Sequence, residues 1–343
     1  MTSPGGLVAS LADFVRKTSG ARTDAVRAFV LLLVGTPATL LPRVLDQSIV
    51  KWMIQVVRWV RPNSPVKIAR RFASVLERPE HDCLEAARLA REVSVDSLWL
   101  RLRNIWRPAY TPPVDVVGLD HLLAPIQEGR GVILWRMDFC DRQLGLLALH
   151  LEGIPVVHLS SASHGTSSDS FLSRRLLAPL YRRSEDHFLA ERVVIPWSGQ
   201  RMSATRRLLD ALKREQAVLS IYGEEGGQHP VCCSVLGRTA WFQSGAPGLA
   251  WRTGAVLLPC RTVREATGEY RLWFDAPIQL DRSRGRREAV EAAVRSYAGL
   301  LEKAIEAHPG SYMGWWALAS GSGPFRTRAT PAGPPGGSDR NGG

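Results

Sequence analysis

Cysteine is scarce. The chain has five in 343 residues (Cys83, Cys140, Cys232, Cys233 and Cys260), an odd number with no C-x-x-C spacing. Neither a disulfide framework nor a zinc site is indicated, and a reducing compartment is the simpler setting. Acidic residues are in deficit: 44 Lys+Arg face 32 Asp+Glu, giving a formal charge of +12 and a pI near 10.1. That balance excludes an acidic disordered chain and points to anionic partners. A long hydrophobic run is also missing. The longest apolar stretch, residues 28–41, holds Gly35 and Pro37 and is closed by Pro42 and Arg43. It falls short of the roughly 18 to 20 apolar residues that a bilayer-crossing helix needs. It has no small-residue cleavage site directly after a basic leader, so a cleaved signal peptide is a poor fit. No internal repeat shows. No G-x-S-x-G elbow, Walker lysine or G-x-G-x-x-G loop is present, which removes a serine-hydrolase triad and nucleotide binding from consideration.

What is present is the composition of a globular chain, 45% hydrophobic and 22% charged, enough for one large domain or two modest ones. Residues 50–61 (VKWMIQVVRWVR) combine apolar residues and two Trp with Lys51, Arg58 and Arg61. This fits a basic helix lying in a membrane interface, and equally an amphipathic core helix. Residues 62–104 keep a helical spacing of Ala and Leu. Short apolar or β-branched runs then appear at 131–135, 154–159, 217–222, 255–260 and 270–274, with helical stretches at 144–151, 203–215, 248–254 and 286–307. This alternation predicts an α/β fold with a mixed, mostly parallel sheet flanked by helices, after a helical N-terminal region. The expected organisation is a flexible N-terminus (1–20), a helical membrane-associated region (21–105), an α/β domain (106–325) and a disordered tail (326–343).

In open α/β sheets, ligands sit beyond the carboxyl ends of the strands. The loops to search are therefore RMDFCDRQLG (136–145) and GEEGGQH (223–229). Carboxylates and arginines gathered there can serve as base, orienting group and phosphate clamp, although charged loops are also ordinary solvated surface.

These landmarks, in order, resemble the lysophospholipid acyltransferase superfamily, and within it the branch of lipid A late acyltransferases and phosphatidylinositol mannoside acyltransferases. The resemblance covers roughly residues 115–318. VILWRMDFCDRQLG is similar to the branch's strand followed by His-Phe-Gly-Asn-Trp-Glu-Leu-Gly, matching at Val132, Ile133, Leu134, Phe139, Leu144 and Gly145. YGEEGG (222–227) resembles its Glu-Gly loop, GAPGLAWRTGAVLLPC (245–260) its helix and Val-Pro strand, and HPGSYMGWW (308–316) its Pro-Glu-Gln-Tyr-x-Trp segment. The resemblance implies a glycerolipid acyltransferase-like fold. It also implies transfer of a fatty acyl group from an acyl-thioester donor, on acyl carrier protein or CoA, to a lipid or amphiphilic acceptor. No metal or cofactor is implied, and the expected setting is the cytoplasmic face of a bacterial membrane.

The departure from the pattern falls on the catalytic motif. In the family, the His of His-x4-Asp/Glu takes the proton of the attacking hydroxyl and the acid fixes its tautomer. In the preferred register Asp138 stands at the His and Gln143 at the acid; in a second register these are Arg136 and Asp141. No histidine lies between Leu122 and Leu149. Asp138 then becomes the base, Gln143 its orienter through the amide, and His164 the best histidine to substitute through space, ahead of His158 and His229. The resemblance assigns Arg136 and Arg142 to phosphate or pantetheine, Glu225 and Gly226 to the acceptor or oxyanion loop, and Arg174 to an arginine that the family places after its second strand. The paired arginines 174–175, 182–183 and 206–207 suit anionic membrane lipids or an acidic carrier rather than nucleic acid, for which no motif is present. The doubly altered motif equally suits an inactive homologue that binds lipid or regulates a partner.

Overall fold

The computed structural model describes residues 25, 28–29, 32–108, 110–162, 171–195, 201–213, 218–223, 230–265, 267–315, 318 and 325. The sequence-predicted terminal segments 1–20 and 326–343, together with His164, Glu225, Gly226 and His229, lie outside these residues.

The N-terminal part is a helical layer: α1 (Gly35–Leu40), α2 (Asp46–Val60), α3 (Ser64–Leu76) and α4 (Leu84–Asn104). Pro42, Pro65 and Pro79 punctuate it, and Glu77, in the left-handed region at φ 52°, ends α3. A fully buried arginine holds the layer together. Arg103 of α4 donates through Nε (2.7 Å) and Nη2 (3.1 Å) to the two carboxylate oxygens of Asp46, the first residue of α2. Trp99 Nε1 adds a bond to Asp46 Oδ1 at 2.8 Å. None of the described helices is long and apolar enough to cross a membrane.

The α/β part contains β1 (Val114–Val117), α5 (Asp120–Gln127), β2 (Val132–Arg136), α6 (Arg142–Leu151), β3 (Val156–Ser161), α7 (Ala178–Asp186), β4 (Glu191–Ile195), α8 (Arg201–Lys213), β5 (Val218–Tyr222), β6 (Pro230–Val235), β7 (Arg238–Gln243), α9 (Gly245–Thr253), β8 (Val256–Arg264), β9 (Tyr270–Phe274) and α10 (Arg286–Ala307). Seven strands form one sheet in the order β1-β9-β8-β2-β5-β3-β4, and β6 and β7 form a separate hairpin. Every pairing in the large sheet is parallel except β8 with β9. The fold is thus the predicted mixed α/β sheet, mostly parallel and flanked by helices.

Alternation along the strands divides the core in two. Ile133 and Trp135 of β2 face α8, α9 and α10, where Trp135 stacks on Tyr297 with ring centroids 4.2 Å apart. Val132 and Leu134 face α5 and α6, packing with Leu122, Leu146, Leu147 and Leu258. On this second face the rungs can be read across strands from the register. Leu134, Ser220 and His158 share one; Cys260, Arg136 and Tyr222 share the next, closer to the carboxyl ends. The sheet core becomes polar as it approaches those ends.

Candidate active site

Beyond Arg136 the chain leaves the sheet through a tightly braced loop. Met137 N donates to Cys260 O (2.9 Å), extending the β8 pairing by one residue, and Phe139 N donates back to Met137 O (2.9 Å). Cys140 sits at φ 48°, a conformation that L side chains adopt only when held. The hold comes from residues 311–313: Cys140 N donates to Ser311 O (2.7 Å), Met313 N donates to Asp138 O (2.8 Å), and the rings of Phe139 and Tyr312 lie 5.2 Å apart. Two segments singled out in the sequence, 136–145 and 308–316, therefore meet backbone to backbone.

Asp141 then caps α6, its extended backbone (ψ 138°) placing Oδ1 2.9 Å from Gln143 N. Its other oxygen receives Arg101 of α4 through Nε (3.0 Å) and Nη2 (2.9 Å), and that guanidinium also lies over the Tyr181 ring of α7. Gln143, buried, donates from Nε2 to Ser184 Oγ of α7 at 2.8 Å. The bond given by this amide runs to Ser184. Asp138 itself is half-buried at the crest of the loop.

Arg136 does not face open solvent. It is buried, its guanidinium lies 4.9 Å from the Tyr222 ring, and a Cβ added at Gly145 would be 3.1 Å from Nη2 and 3.0 Å from Thr262 Oγ1. The glycine of the Leu-Gly pair is what lets this cation lie beneath α6. Arg142 opens α6, with its side chain outside the described residues. Arg174 is exposed in the wide helical turn Ser173–Leu177 that leads into α7, beside Arg175, which lies over the exposed Phe171 ring. Arg136 thus ends β2, Asp138 lies in the loop that follows, Gln143 is the second residue of α6, and Arg174 lies on the helical turn before α7.

The end of β5 is locked to the same point. Gly223 N (3.1 Å) and Tyr297 Oη (3.0 Å) both donate to the Arg136 carbonyl. Gly223 then launches the Glu-Gly loop, whose residues 224–229 are outside the described part. His158 is buried one rung below Arg136, Nδ1 3.2 Å from Ser220 Oγ and its ring edge-on to Tyr222. Burial pushes the thiols of Cys140 and Cys260 up to about 12, so neither is a ready nucleophile. Burial likewise lowers the pKa of His308, which starts the 308–316 segment, so its imidazole is neutral at pH 7. Among the described residues no group of three His, Cys, Asp or Glu could hold a metal ion.

Arg101, Ser184, Tyr222 and Thr262 were not foreseen. Asp141 carried a signal in its place before an apolar helical run, the pattern of an N-cap. Arg101 and Ser184 carried none, because each is an ordinary polar residue in a helix far along the chain from its partner.

Residues 182–316 match the family model described as bacterial lipid A biosynthesis acyltransferase. No curated protein matches the chain. The matched stretch begins in α7, contains Ser184, β5, β8 and Tyr312, and leaves Asp138 and Gln143 outside it. Over that stretch the chain is similar to the lipid A acyltransferase family, and this similarity supports an acyltransferase.

Proposed function

We propose that the protein moves a fatty acyl group from an acyl-thioester donor, carried on acyl carrier protein or CoA, to a lipid or amphiphilic acceptor at the cytoplasmic face of a bacterial membrane. The observation that carries the reading is the meeting of loop 136–141, segment 311–313 and the end of β5 at the carboxyl ends of parallel strands. Asp138 is the base, receiving the acceptor's proton as the hydroxyl or amine attacks the thioester carbonyl; the C–S bond breaks and the thiolate leaves. General-base help is worth about 10² to 10⁴ in rate. A carboxylate weaker than imidazole therefore lowers turnover without abolishing it.

Membrane docking is part of the proposal. Trp52, Val56, Trp59 and Val60 are exposed along one side of α2, preceded by the exposed Leu45, with Lys51 and Arg58 beside them and Val50 and Ile54 turned inward. A helix with one face in its own protein and a second, Trp-bearing face in solvent suits the interface of an anionic bilayer. The donor and anionic lipids are the proposed partners, and no cofactor is called for.

A second reading, an inactive homologue that binds acyl lipid, is favoured by the Gln143 amide being committed to Ser184. The test is acyl transfer by purified protein in liposomes, from labelled acyl-carrier and acyl-CoA donors to a panel of bacterial lysolipids, with Asp138→Asn alongside. Transfer that collapses in the variant supports the enzyme. Lipid binding with no transfer from any donor supports the second reading.

A further inference from the structure

At the amino ends of β2 and β8, about 20 Å along the sheet from the Arg136 loop, lies a cleft of about 500 Å³. That is the size of a small-molecule site. Its walls are α5, the end of α9 and residues 277–282, and the last are braced by Ile278 N donating to Leu257 O at 2.9 Å. Ala124, Ala250, Leu257, Ile278 and Leu280 line it, and no Phe, Tyr or Trp does. A planar ring therefore finds no stacking partner there, whereas an alkyl chain finds aliphatic contact along its length. Two arginines flank one end. Arg130 and Gly254 stand two residues before the paired Val132 and Val256, at the starts of adjacent strands. Arg282 reaches the same point: its Nη2 donates to Trp251 O at 3.1 Å and would lie 3.9 Å from a Cβ at Gly254. Arg282 has no carboxylate partner among the described residues, and Arg130 has a 3.4 Å contact with Glu128, in which both side chains are at least half exposed. The other acid of the cleft, Asp120, opens α5 and lies about 12 Å of helix away from Glu128.

We propose that this cleft binds an aliphatic chain that ends in an anion, a fatty carboxylate or an alkyl phosphate, with the anion at Arg130 and Arg282 and the chain along the aliphatic lining. The arginine fork suits either head, since both present paired oxygens to parallel N–H donors. The exposed Glu128 contact is no obstacle, because surface ion pairs of this kind contribute little and exchange readily for a ligand anion. The site is distinct from the one proposed for acyl transfer: it sits at the opposite ends of the strands, so a molecule held there does not reach the loop beyond Arg136. Its occupant touches α5, the end of α9 and residues 277–282 together, and binding to the folded chain alone raises the unfolding temperature.

The experiment exposes full-length protein to dodecanoate bearing a photoreactive diazirine in its chain, cross-links it with light and maps the labelled peptides. Label is expected on the peptides that hold Ala124 and residues 277–282. Dodecanoate and dodecyl phosphate are expected to compete for it at least about tenfold better than dodecyltrimethylammonium, and the stronger of the two names the head that the cleft prefers. Arg282→Gln is expected to weaken the competing anion about tenfold, a charge-assisted bond being lost. Ala124→Trp, which fills the cleft from an exposed position on α5, is expected to abolish the label. Both side chains are exposed, so unfolding temperatures without ligand are expected to match wild type. Label confined to other segments overturns the proposal, as does label on these peptides that survives Ala124→Trp. Equal competition by the cation, or an affinity unmoved in Arg282→Gln, overturns it too. Acyl transfer enters none of these readouts, so the proposal stands or falls apart from the acyltransferase reading.

Discussion

Arg101 of α4 closes on Asp141, the cap of α6, through two nitrogens at 3.0 and 2.9 Å, and so fastens the N-terminal layer to the loop between β2 and α6. The Asp141 side chain has no solvent exposure, whereas Arg101 retains about a third of its own. Arg101→Gln strands a buried carboxylate and is expected to cost about 2 to 4 kcal/mol. Asp141→Asn keeps an oxygen to accept the Gln143 backbone N–H and is expected to cost less. Urea unfolding of both single variants and the double variant checks this. Strictly additive losses would show that the two groups do not interact.

Gly223 allows no side chain. A Cβ there would lie 2.4 Å from Tyr297 and 2.6 Å from Trp135 Nε1, inside the stacked pair that floors the central strands. Gly223→Ala is expected to cost about 3 kcal/mol and to pull the start of the Glu-Gly loop away from the Arg136 carbonyl. Thermal unfolding reads the cost. Wild-type stability in this variant would mean that the stack yields freely.

Asp96 supplies a pH dependence. It accepts from Tyr270 Oη and lies 3.1 Å from Arg264 Nε, yet burial outweighs both and raises its pKa above the ordinary 3.8. With the folded-state pKa raised, the contribution of Asp96 to stability is full below the ordinary value and is lost as pH rises through the raised one. The stability of Asp96→Asn relative to wild type is therefore expected to improve with pH across that window and then level off. Urea unfolding at a series of pH values from about 3.5 to 7 measures it. A constant difference would contradict the raised value.

Trp52 and Trp59 are 65% and 85% exposed, so removing them leaves the core intact. Each is expected to contribute about 2 kcal/mol to docking on vesicles of anionic lipid, roughly a 30-fold change in affinity. Vesicle sedimentation of Trp52→Ser and Trp59→Ser, with unfolding temperatures compared, tests this. Undiminished binding in the double variant would move the docking surface elsewhere.

The central strands were legible because buried parallel strands are written as continuous apolar runs, as in VILW, VLSIY and VLLPC. The edge strands β1 (VDVV) and β4 (ERVVI) were missed, since each is short and carries charge on an open side. β8 continues past its apolar run to Arg264, because Arg261 pairs Asp275 and Arg264 pairs Glu92, contacts that no local pattern announces. The same holds for the site. Loop 136–145 stood out by its residues, but its bracing by Arg101, Ser184 and Ser311 depends on neighbours distant in the chain.

The strand order sets what can be cut away. β5 reaches β8 only through β2, and β4 reaches β5 only through β3. A fragment starting at α7 would hold β4, β5, β8 and β9 without the strands that seat them, keeping of all the pairings only β8 with β9 and β6 with β7. Strand edges rich in Val, Leu and Ile would then lie bare, ready to join other copies. The C-terminal half is thus no autonomous module to be grafted or expressed alone: nascent chain leaving the ribosome has to keep β2 and β3 in waiting until the later strands arrive on either side.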